Sequence, residues 1–398
     1  MRLACVVPRY GTGVVGGAET LCRDHVEHLI AAGHEVEVLT LCATDHFTWE
    51  NVLPAGASVV NGVRVRRFPV TRRRDNDVMA RLEGTIAAGG RLDEERQREW
   101  LLNTGQSEPL LEEIARVADR VDALYFIPYL FAATVFGAAV RPDRSIIHPC
   151  LHDEPYAHFR LTQDAMRNAA GLVFNTEAER QVALSILGAL PPNVVAGVGF
   201  DPPRSVDPAG FRTRHRIEGD VVAFAGRHEA GKNWELLVEW VSMYSGALSR
   251  TGPLRLLAMG SGGVHTLPAS ARAMVYDAGF VDDRHKYDCL ATSVAVTTLS
   301  LNESFSYLLM EGWLAGVPCI VHADCAVTRE HCERGGGGLW VRSPEEFAEA
   351  LDRLRCDPGL RDGLALQGAD YVRSEYSWPA VVRRLEESLP RMVPVAVR

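Results

Sequence analysis

The sequence lacks the cysteine pattern of a disulfide framework or of a zinc site. Its 398 residues include nine cysteines, which are scattered, and no two of them are spaced as C-x-x-C. An odd number of scattered cysteines favours reduced thiols, which are typical of a cytoplasmic protein. The chain has no apolar run long enough to cross a membrane, and its N-terminal run, which Pro8 interrupts, is too short for a signal peptide. We therefore expect a cytoplasmic protein without a membrane span.

An excess of positive charge is also absent. The formal net charge is -9 at pH 7 and the isoelectric point is near 5.8, whereas nucleic-acid-binding domains are usually basic. We therefore expect no nucleic acid partner. Hydrophobic residues make up 47% of the chain and charged residues 23%, which is enough for a sizeable core. The length allows two ordinary domains.

Short apolar runs, typical of buried strands, alternate with helical periods along both halves of the chain. Residues 188–210 contain five prolines among glycines and predict a linker between the halves. Strands separated by helices imply right-handed crossovers and a parallel sheet. The sequence therefore predicts an α/β fold of two doubly wound domains with a ligand-binding cleft between them. The predicted strands lie at residues 3–7, 35–39, 123–127, 145–147, 171–174, 221–225, 254–258, 294–296 and 319–321.

Two acidic residues stand eight positions apart in the mostly apolar segment 302–312. If one helix spans both, Glu303 lies at its start and Glu311 lies about 12 Å further along the axis. Buried carboxylates need partners, and this segment contains no cation. A ligand rich in hydroxyl groups would provide the missing hydrogen bonds.

A glycine-containing loop with two cations follows the first strand of the second half. Arg227 and Lys232 would lie at the carboxyl end of that strand, beside a helix N-terminus, which suits a diphosphate. The alternative is that both are solvated surface charges. The next strand is followed by Gly260-Ser261-Gly262-Gly263, which would let a ligand approach the backbone, although tight turns have the same composition.

A competing signal lies near the N-terminus. The segment Gly11-Thr12-Gly13-Val14-Val15-Gly16 fits G-x-G-x-x-G and indicates an NAD(P)-dependent oxidoreductase. However, Pro8-Arg9-Tyr10 separates the strand from the first glycine, and the second strand ends Leu39-Thr40-Leu41 without the acid that binds a ribose. A loop that admits a sugar or a phosphate explains the glycines equally well.

Together these motifs resemble the family-four retaining glycosyltransferases, which use nucleotide-sugar donors and have the GT-B fold of two facing Rossmann-like domains. The resemblance covers nearly the whole chain. Glu303 and Glu311 are similar to the family's E-x7-E motif, and Arg227 and Lys232 match its Arg and Lys. Further similarities are Gly16-Gly17-Ala18-Glu19 in the first loop, Val198-Gly199-Phe200-Asp201 in the linker, Gly316-Val317-Pro318 after the acidic motif, and Tyr376-Ser377-Trp378 at the start of the final helix.

The resemblance implies an organisation and a reaction. Residues 1–195 would form an acceptor-binding domain and residues 205–375 a donor-binding domain, with a final helix of about 378–398 packed back on the first. The enzyme would move a sugar from a UDP-, GDP- or dTDP-sugar to a hydroxyl of a glycan, a lipid-linked glycan or a small molecule. No metal cofactor is expected, because no D-x-D motif with supporting ligands is evident.

The resemblance also implies roles for individual residues. Glu303 would bind the donor sugar and Glu311 the nucleotide ribose, while Arg227 and Lys232 would neutralise the diphosphate. His152 would contact the donor sugar, although a hydrogen-bonded loop histidine is the alternative. The other donor-binding residues would be Gly16, Gly17, Gly260, Val281, Ser304, Phe305 and Ser306, and the acceptor-binding residues would be Asp153 and Glu154.

The chain departs from the family at three positions. Ser304 and Ser306 stand where the family usually has glycine, and Gly312 stands where alanine is more common. The serines would narrow the donor site. They keep open a third reading, a sugar-nucleotide-binding protein without activity.

Six arginines between positions 64 and 74 form a basic run on this acidic protein. Family members with lipid-linked acceptors have basic patches in the first domain, so a peripheral contact with the inner face of a membrane through Arg64–Arg74 is a hypothesis. The alternative is a solvated face. The arginines are Arg64, Arg66, Arg67, Arg72, Arg73 and Arg74.

Overall fold

A computed structural model describes residues 1–14 and 16–393 of the chain. Contacts divide it into two compact units. The first contains Met1–Gly199 and the chain from Trp378 onward, and the second contains Phe200–Ser377. Each unit has its own largely parallel sheet, whose strands are connected mainly by helices. The prediction of an α/β fold with two doubly wound domains is confirmed.

The first unit contains an eight-stranded sheet in the order β3-β4-β2-β1-β5-β6-β7-β8, in which only β3 and β4 pair antiparallel. Its strands are β1 (Arg2–Val6), β2 (Glu35–Leu41), β3 (Gly56–Val60), β4 (Val63–Phe68), β5 (Ala123–Phe126), β6 (Ser145–Ile147), β7 (Gly171–Phe174) and β8 (Asn193–Val195). Its helices are α1 (Gly17–Ala31), α2 (Asn76–Ala87), α3 (Glu94–Leu102), α4 (Glu108–Val117), α5 (Ala132–Ala138), α6 (Arg160–Asn168), α7 (Glu177–Leu187) and, at the end of the chain, α16 (Trp378–Met392).

The second unit contains a six-stranded, all-parallel sheet in the order β11-β10-β9-β12-β13-β14. Its strands are β9 (Val221–Ala225), β10 (Arg255–Met259), β11 (Val275–Gly279), β12 (Ala295–Thr298), β13 (Cys319–His322) and β14 (Gly338–Val341). Its helices are α8 (Pro208–His215), α9 (Trp234–Met243), α10 (Ala269–Arg272), α11 (Asp283–Leu290), α12 (Tyr307–Leu314), α13 (Ala326–Gly335), α14 (Pro344–Cys356) and α15 (Pro358–Glu375).

Buried strands and polar helix starts explain why the sequence forms these elements. The central strands β5, β6 and β7 are buried along their whole length, which matches their continuous apolar runs. Many helices begin at a residue whose side chain accepts a hydrogen bond from a backbone N–H of the first turn. These residues are Asp75, Asp93, Ser107, Thr176, Asp207, Ser343 and Asp357.

The final helix belongs to the first unit. The ring of Trp378, its first residue, stacks on His28 of α1 with the ring centroids 3.7 Å apart. A Cβ atom at Gly199 would lie 2.2 Å from the Trp378 ring, so only glycine fits beside that tryptophan. Trp378, at the start of the second segment, thus packs against both the end of the first segment at Gly199 and helix α1.

Half of the arginines in the basic run form contacts inside the first unit. Arg66 forms an ion pair with Glu113, and buried Arg67 donates to the backbone carbonyl of Tyr10 at 3.2 Å. Arg72 pairs with Glu99 at 2.6 Å. Three of the six arginines therefore have intramolecular partners, which reduces the charge that the run can offer to a membrane. Among the residues that the structure describes, no helix is long and apolar enough to cross a bilayer.

Candidate active site

Four loops of the second unit follow the carboxyl ends of neighbouring parallel strands and therefore lie at the same edge of the sheet. The loops after β9 and β12 are joined by two contacts. The ammonium of Lys232 lies 2.7 Å from Oε1 of Glu303. The side-chain amide of Asn233, a residue held at φ 51°, donates to the carbonyl oxygen of Leu299 at 2.7 Å. The predicted cation and the predicted acid are thus brought together.

The acidic pair does not lie on one helix. Helix α12 begins at Tyr307, so Glu303 lies in the preceding loop, and only Glu311 is helical. Ser306 precedes the helix with φ 97° and ψ 91°, a conformation in which the chain cannot continue a helix backwards. The predicted spacing along a single helix is therefore wrong, and the loop conformation at Ser306 is the physical reason.

Both carboxylates find partners outside their own segment without a ligand, because lysines from other elements reach them. Glu311 forms an ion pair with Lys286 of α11. The Nζ atom of Lys286 lies 2.6 Å from Oε1 of Glu311. The side chains of Glu311 and Glu303 are only 9% and 13% exposed.

Sequence reasoning missed Lys286, although a signal was present. Of the 42 basic residues in the chain, only two are lysines, at positions 232 and 286. Each lysine pairs with one glutamate of the acidic motif, Lys232 with Glu303 and Lys286 with Glu311. The other 40 of these basic residues are arginines.

Arg227 is the more accessible of the two predicted phosphate-binding cations. Its side chain is 55% exposed and its guanidinium lies 3.1 Å from Oε1 of Glu229 in the same loop. An exposed pair of this kind contributes little to the free energy of folding.

The lack of a side chain at Gly260 serves the packing of protein backbone. Gly260 has φ 124°, and a Cβ atom there would lie 2.0 Å from the carbonyl oxygen of Gly226. The loops after β9 and β10 are further joined by a bond from the His228 N–H to the Ser261 carbonyl at 2.8 Å. Val281 follows β11 and is half-buried, beside the exposed ring of Phe280.

The three residues between Glu303 and helix α12 differ in how far they are exposed to a ligand. Ser304 is half-buried, whereas Phe305 and Ser306 are buried. The Phe305 ring packs in an aromatic cluster, with centroids 5.0 Å from both His331 and Tyr376. Only the backbone of Phe305, rather than its ring, can therefore serve a ligand.

In the first unit, the structure brings His152 and Glu154 together and adds Tyr129, which the sequence did not indicate. The Nδ1 atom of His152 lies 3.7 Å from Oε1 of Glu154, and the Tyr129 hydroxyl donates to the same oxygen at 2.6 Å. Burial alone would raise the pKa of the Glu154 carboxyl, but the His152 ring and the Tyr129 hydroxyl hold that pKa below its usual value. Asp153 is separated from this group, since it is exposed and accepts from His158 at 2.8 Å.

The glycine-rich loop of the first unit fits G-x-G-x-x-G only in sequence. A Cβ atom at Gly16 would lie 2.1 Å from the Glu19 carboxylate, which a buried ion pair joins to Arg9 at 2.5 Å. By contrast, a Cβ atom at Gly13 or Gly17 would meet no atom within 4 Å. A side chain at position 16 would therefore displace the Glu19 carboxylate from its place beside Arg9, whereas positions 13 and 17 have room for one.

A metal site is not evident in the described part of the chain, where no three His, Cys, Asp or Glu side chains are grouped to hold an ion. The segment Asp75-Asn76-Asp77 has the literal form D-x-D. However, the Asp75 carboxylate caps α2 by accepting from the N–H groups of Asp77 and Val78, each at 3.0 Å. These contacts assign the motif a structural role.

Comparisons with known proteins find similarity to glycosyltransferases. The sequence model described as "Glycosyl transferases group 1" matches residues 219–357. A D-inositol 3-phosphate glycosyltransferase of Frankia alni is 27% identical over 94% of both chains. An uncharacterised glycosyltransferase of Methanocaldococcus jannaschii is 21% identical over 96% of both chains.

Solved structures share the fold. Anabaena HepE in complex with UDP-glucose aligns with a TM-score of 0.71 and 16% identity, over 98% of this chain and 100% of its own. Sucrose-phosphate synthase of Thermosynechococcus elongatus aligns with a TM-score of 0.72 and 16% identity, over 98% of both chains. At these identities the likeness concerns the arrangement of the backbone.

Proposed function

We propose that this chain is a group 1 glycosyltransferase and that it transfers a sugar from a nucleotide sugar to an acceptor hydroxyl with retention of configuration. The match of residues 219–357 to the family model, the glycosyltransferase relatives and the shared GT-B fold support this proposal. It is a nucleotide-sugar-dependent enzyme. The observation that carries the detailed proposal is the pairing of Lys232 with Glu303 and of Lys286 with Glu311 at one edge of the second unit's sheet.

The donor diphosphate is proposed to bind Arg227 and Lys232. The backbone N–H groups of residues 304–306, which lead into the N-terminus of α12, would add donors and a favourable helix dipole. Negative charge develops on the leaving diphosphate in the transition state, and fixed cations and N–H groups at that point lower the barrier. Because HepE was solved with UDP and with UDP-glucose, a UDP-sugar is the first donor to test, with GDP- and dTDP-sugars next.

Lys232 and Glu303 are each other's ion-pair partner. We propose that the donor exchanges this contact for two new ones, with the ammonium turning to the diphosphate and the carboxylate accepting sugar hydroxyls. The pair is largely buried, with side-chain exposures of 27% for the lysine and 13% for the glutamate, so both charges need new partners when it separates. The diphosphate and the sugar hydroxyls would supply them as charge-assisted bonds. Glu311 is proposed to accept hydrogen bonds from the nucleotide ribose.

In the first unit, His152 is proposed to contact the donor sugar, with Glu154 and Tyr129 fixing the orientation of its ring. Gly16 and Gly17 would let the donor approach the backbone, and Asp153 and Glu154 would bind the acceptor. No side chain is assigned as a general base. In a front-face substitution the departing phosphate itself takes the proton of the acceptor hydroxyl.

The acceptor and the place of action are also proposals. Several relatives are named for D-inositol 3-phosphate, so a phosphorylated polyol joins glycans, lipid-linked glycans and other small molecules as a test acceptor. We propose a cytoplasmic enzyme that contacts anionic lipid through Arg64 and Arg73, the exposed arginines of the basic run. Co-sedimentation with anionic liposomes that is unchanged in R64Q/R73Q would remove the membrane proposal.

The test of the function begins with thermal shift of the protein against UDP-, GDP-, ADP- and dTDP-sugars and against NAD(P). A ligand at 100 times its dissociation constant adds about 2.7 kcal/mol to the stability of the folded state, which is readily measured. The sugar nucleotide that binds is then incubated with candidate acceptors, and the released nucleoside diphosphate is quantified, with and without EDTA.

We expect release that EDTA does not abolish, and a loss of at least about 100-fold in R227A/K232A because two charge-assisted contacts to the diphosphate are removed. R373A, which removes an exposed pair on α15, is the matched control and should retain wild-type activity. A shift with NAD(P) and with no sugar nucleotide would contradict the proposal. Binding without turnover on any acceptor would favour the non-catalytic reading.

A further inference from the structure

The proposed reaction assigns a role to Glu311 but none to Lys286, the lysine that forms an ion pair with it. Glu311 lies in the second turn of α12, and its carboxylate is buried. Lys286 comes from a different helix, α11, which follows the segment containing Phe280 and Val281. The contact is short, 2.6 Å from Nζ to Oε1, and the lysine side chain is only 24% exposed.

Such a contact fixes a carboxylate in two ways. A neighbouring ammonium favours the ionised form of a buried acid, and a charge-assisted bond to one oxygen limits rotation of the group. A carboxylate that is already ionised and oriented loses less freedom when it accepts hydrogen bonds from a ligand. The ammonium of Lys286 contacts Oε1 of Glu311, and the same restraint fixes the direction of Oε2.

We propose that Lys286 is a positioning residue for the nucleotide ribose, acting through Glu311. This inference rests on the proposed function, because it takes Glu311 as the acceptor for the ribose hydroxyls. The lysine holds the carboxylate in the orientation that reads the 2′- and 3′-hydroxyl groups together. Because Lys286 lies on α11, the position of that helix affects how strongly the site prefers ribose over 2′-deoxyribose.

The experiment measures dissociation constants by isothermal titration calorimetry for UDP and 2′-deoxy-UDP, and for GDP and 2′-deoxy-GDP. The proteins are the wild type, K286Q, E311Q and the double variant K286Q/E311Q. R373Q on α15 is the matched control, since it also removes an ion pair from the second unit but at an exposed site. K286R tests rescue by a cation of different shape. If K286Q does not fold, K286M, which retains the aliphatic stem, takes its place.

We expect the wild type to bind the ribose form at least about tenfold more tightly than the deoxy form, which is the value of one hydrogen bond to a charged group. K286Q should lower that ratio at least threefold, E311Q should bring it near one, and K286R should retain more of it than K286Q. In the double variant the ratio should equal that of E311Q, because Lys286 acts only through the carboxylate.

Each contrary result has a distinct meaning. If K286Q lowers thermal stability but keeps the wild-type ratio, the pair is structural and the inference is overturned while the proposed function stands. If K286Q changes the ratio in the E311Q background, Lys286 acts on the ligand directly, and the positioning role is wrong. If neither UDP nor GDP binds the wild type, the proposed nucleotide site itself is overturned.

Discussion

Ser306 stands in a backbone conformation that suits glycine, and replacing it should stabilise the protein. Its φ of 97° and ψ of 91° lie outside the regions that residues with a Cβ atom ordinarily occupy. Residues held in such regions cost on the order of 1–3 kcal/mol, whereas glycine adopts them without steric strain. The substitution Ser306→Gly should therefore relieve most of this strain.

The net gain is smaller than the strain, because glycine is more flexible in the unfolded chain. That flexibility costs about 0.4–1 kcal/mol, so we expect S306G to raise the free energy of unfolding by about 1 kcal/mol. For a domain of this size, such a change raises the midpoint of thermal unfolding by about 2–4 °C. Differential scanning calorimetry is the suitable assay, since two units in one chain can unfold in separate transitions.

Two control variants isolate the backbone effect. S306A removes the hydroxyl but keeps the Cβ atom and hence the strain, so it should give no stabilisation. Ser304→Gly changes a neighbouring serine that is not at positive φ, so it should destabilise by about 0.5–1 kcal/mol. If S306G is no more stable than the wild type, or if S306G and S304G lose stability to the same extent, the account of strain at Ser306 is wrong.

Three further predictions concern packing and pH. Gly312→Ala would place a Cβ atom 2.6 Å from Val296, so it should destabilise the second unit by about 1–3 kcal/mol, and adding Val296→Ala should recover most of that loss in a denaturant titration. Gly260→Ala should cost more than about 3 kcal/mol, because a backbone carbonyl blocks the Cβ and the φ is positive; retained wild-type stability would contradict this. Burial lowers the pKa of His148 to about 4, so its contribution to stability is complete above pH 6.5 and is lost as the pH falls towards 4. His148→Gln should therefore reduce the slope of stability against pH in that window by up to about 1.4 kcal/mol per unit, and an unchanged slope would refute the assignment.

The sequence was sufficient for the parts of the fold that depend on local patterns. Continuous apolar runs located the buried strands β6 and β7 to the residue and β5 to within one residue, because strands covered on both faces need apolar side chains throughout. It was not sufficient for β4, where arginines alternate with valines and phenylalanine. Their partners, such as Glu113 for Arg66, lie far away in the chain, so the run was read as a charged surface.

At the candidate site, the sequence identified the acids but not their surroundings. The helix predicted to contain Glu303 starts four residues later, because the backbone at Ser306 departs from helical geometry. A serine in the sequence does not indicate a positive φ, as a glycine would. The lysine partners come from α11 and from the loop after β9, and such long-range pairs leave no local pattern. The scarcity of lysine in the chain was the one available signal.

The central claim is that Glu303 and Glu311 bind opposite ends of one donor, the sugar and the ribose. The most direct measurement compares dissociation constants of UDP and UDP-glucose, or of the pair that the thermal-shift panel identifies, for the wild type, E303Q and E311Q. We predict that E311Q weakens the binding of both ligands. E303Q should weaken only the sugar nucleotide relative to the nucleotide, because it removes the sugar contact while releasing Lys232 for the diphosphate. Equal effects of both variants on both ligands, or no effect of either, would contradict the claim.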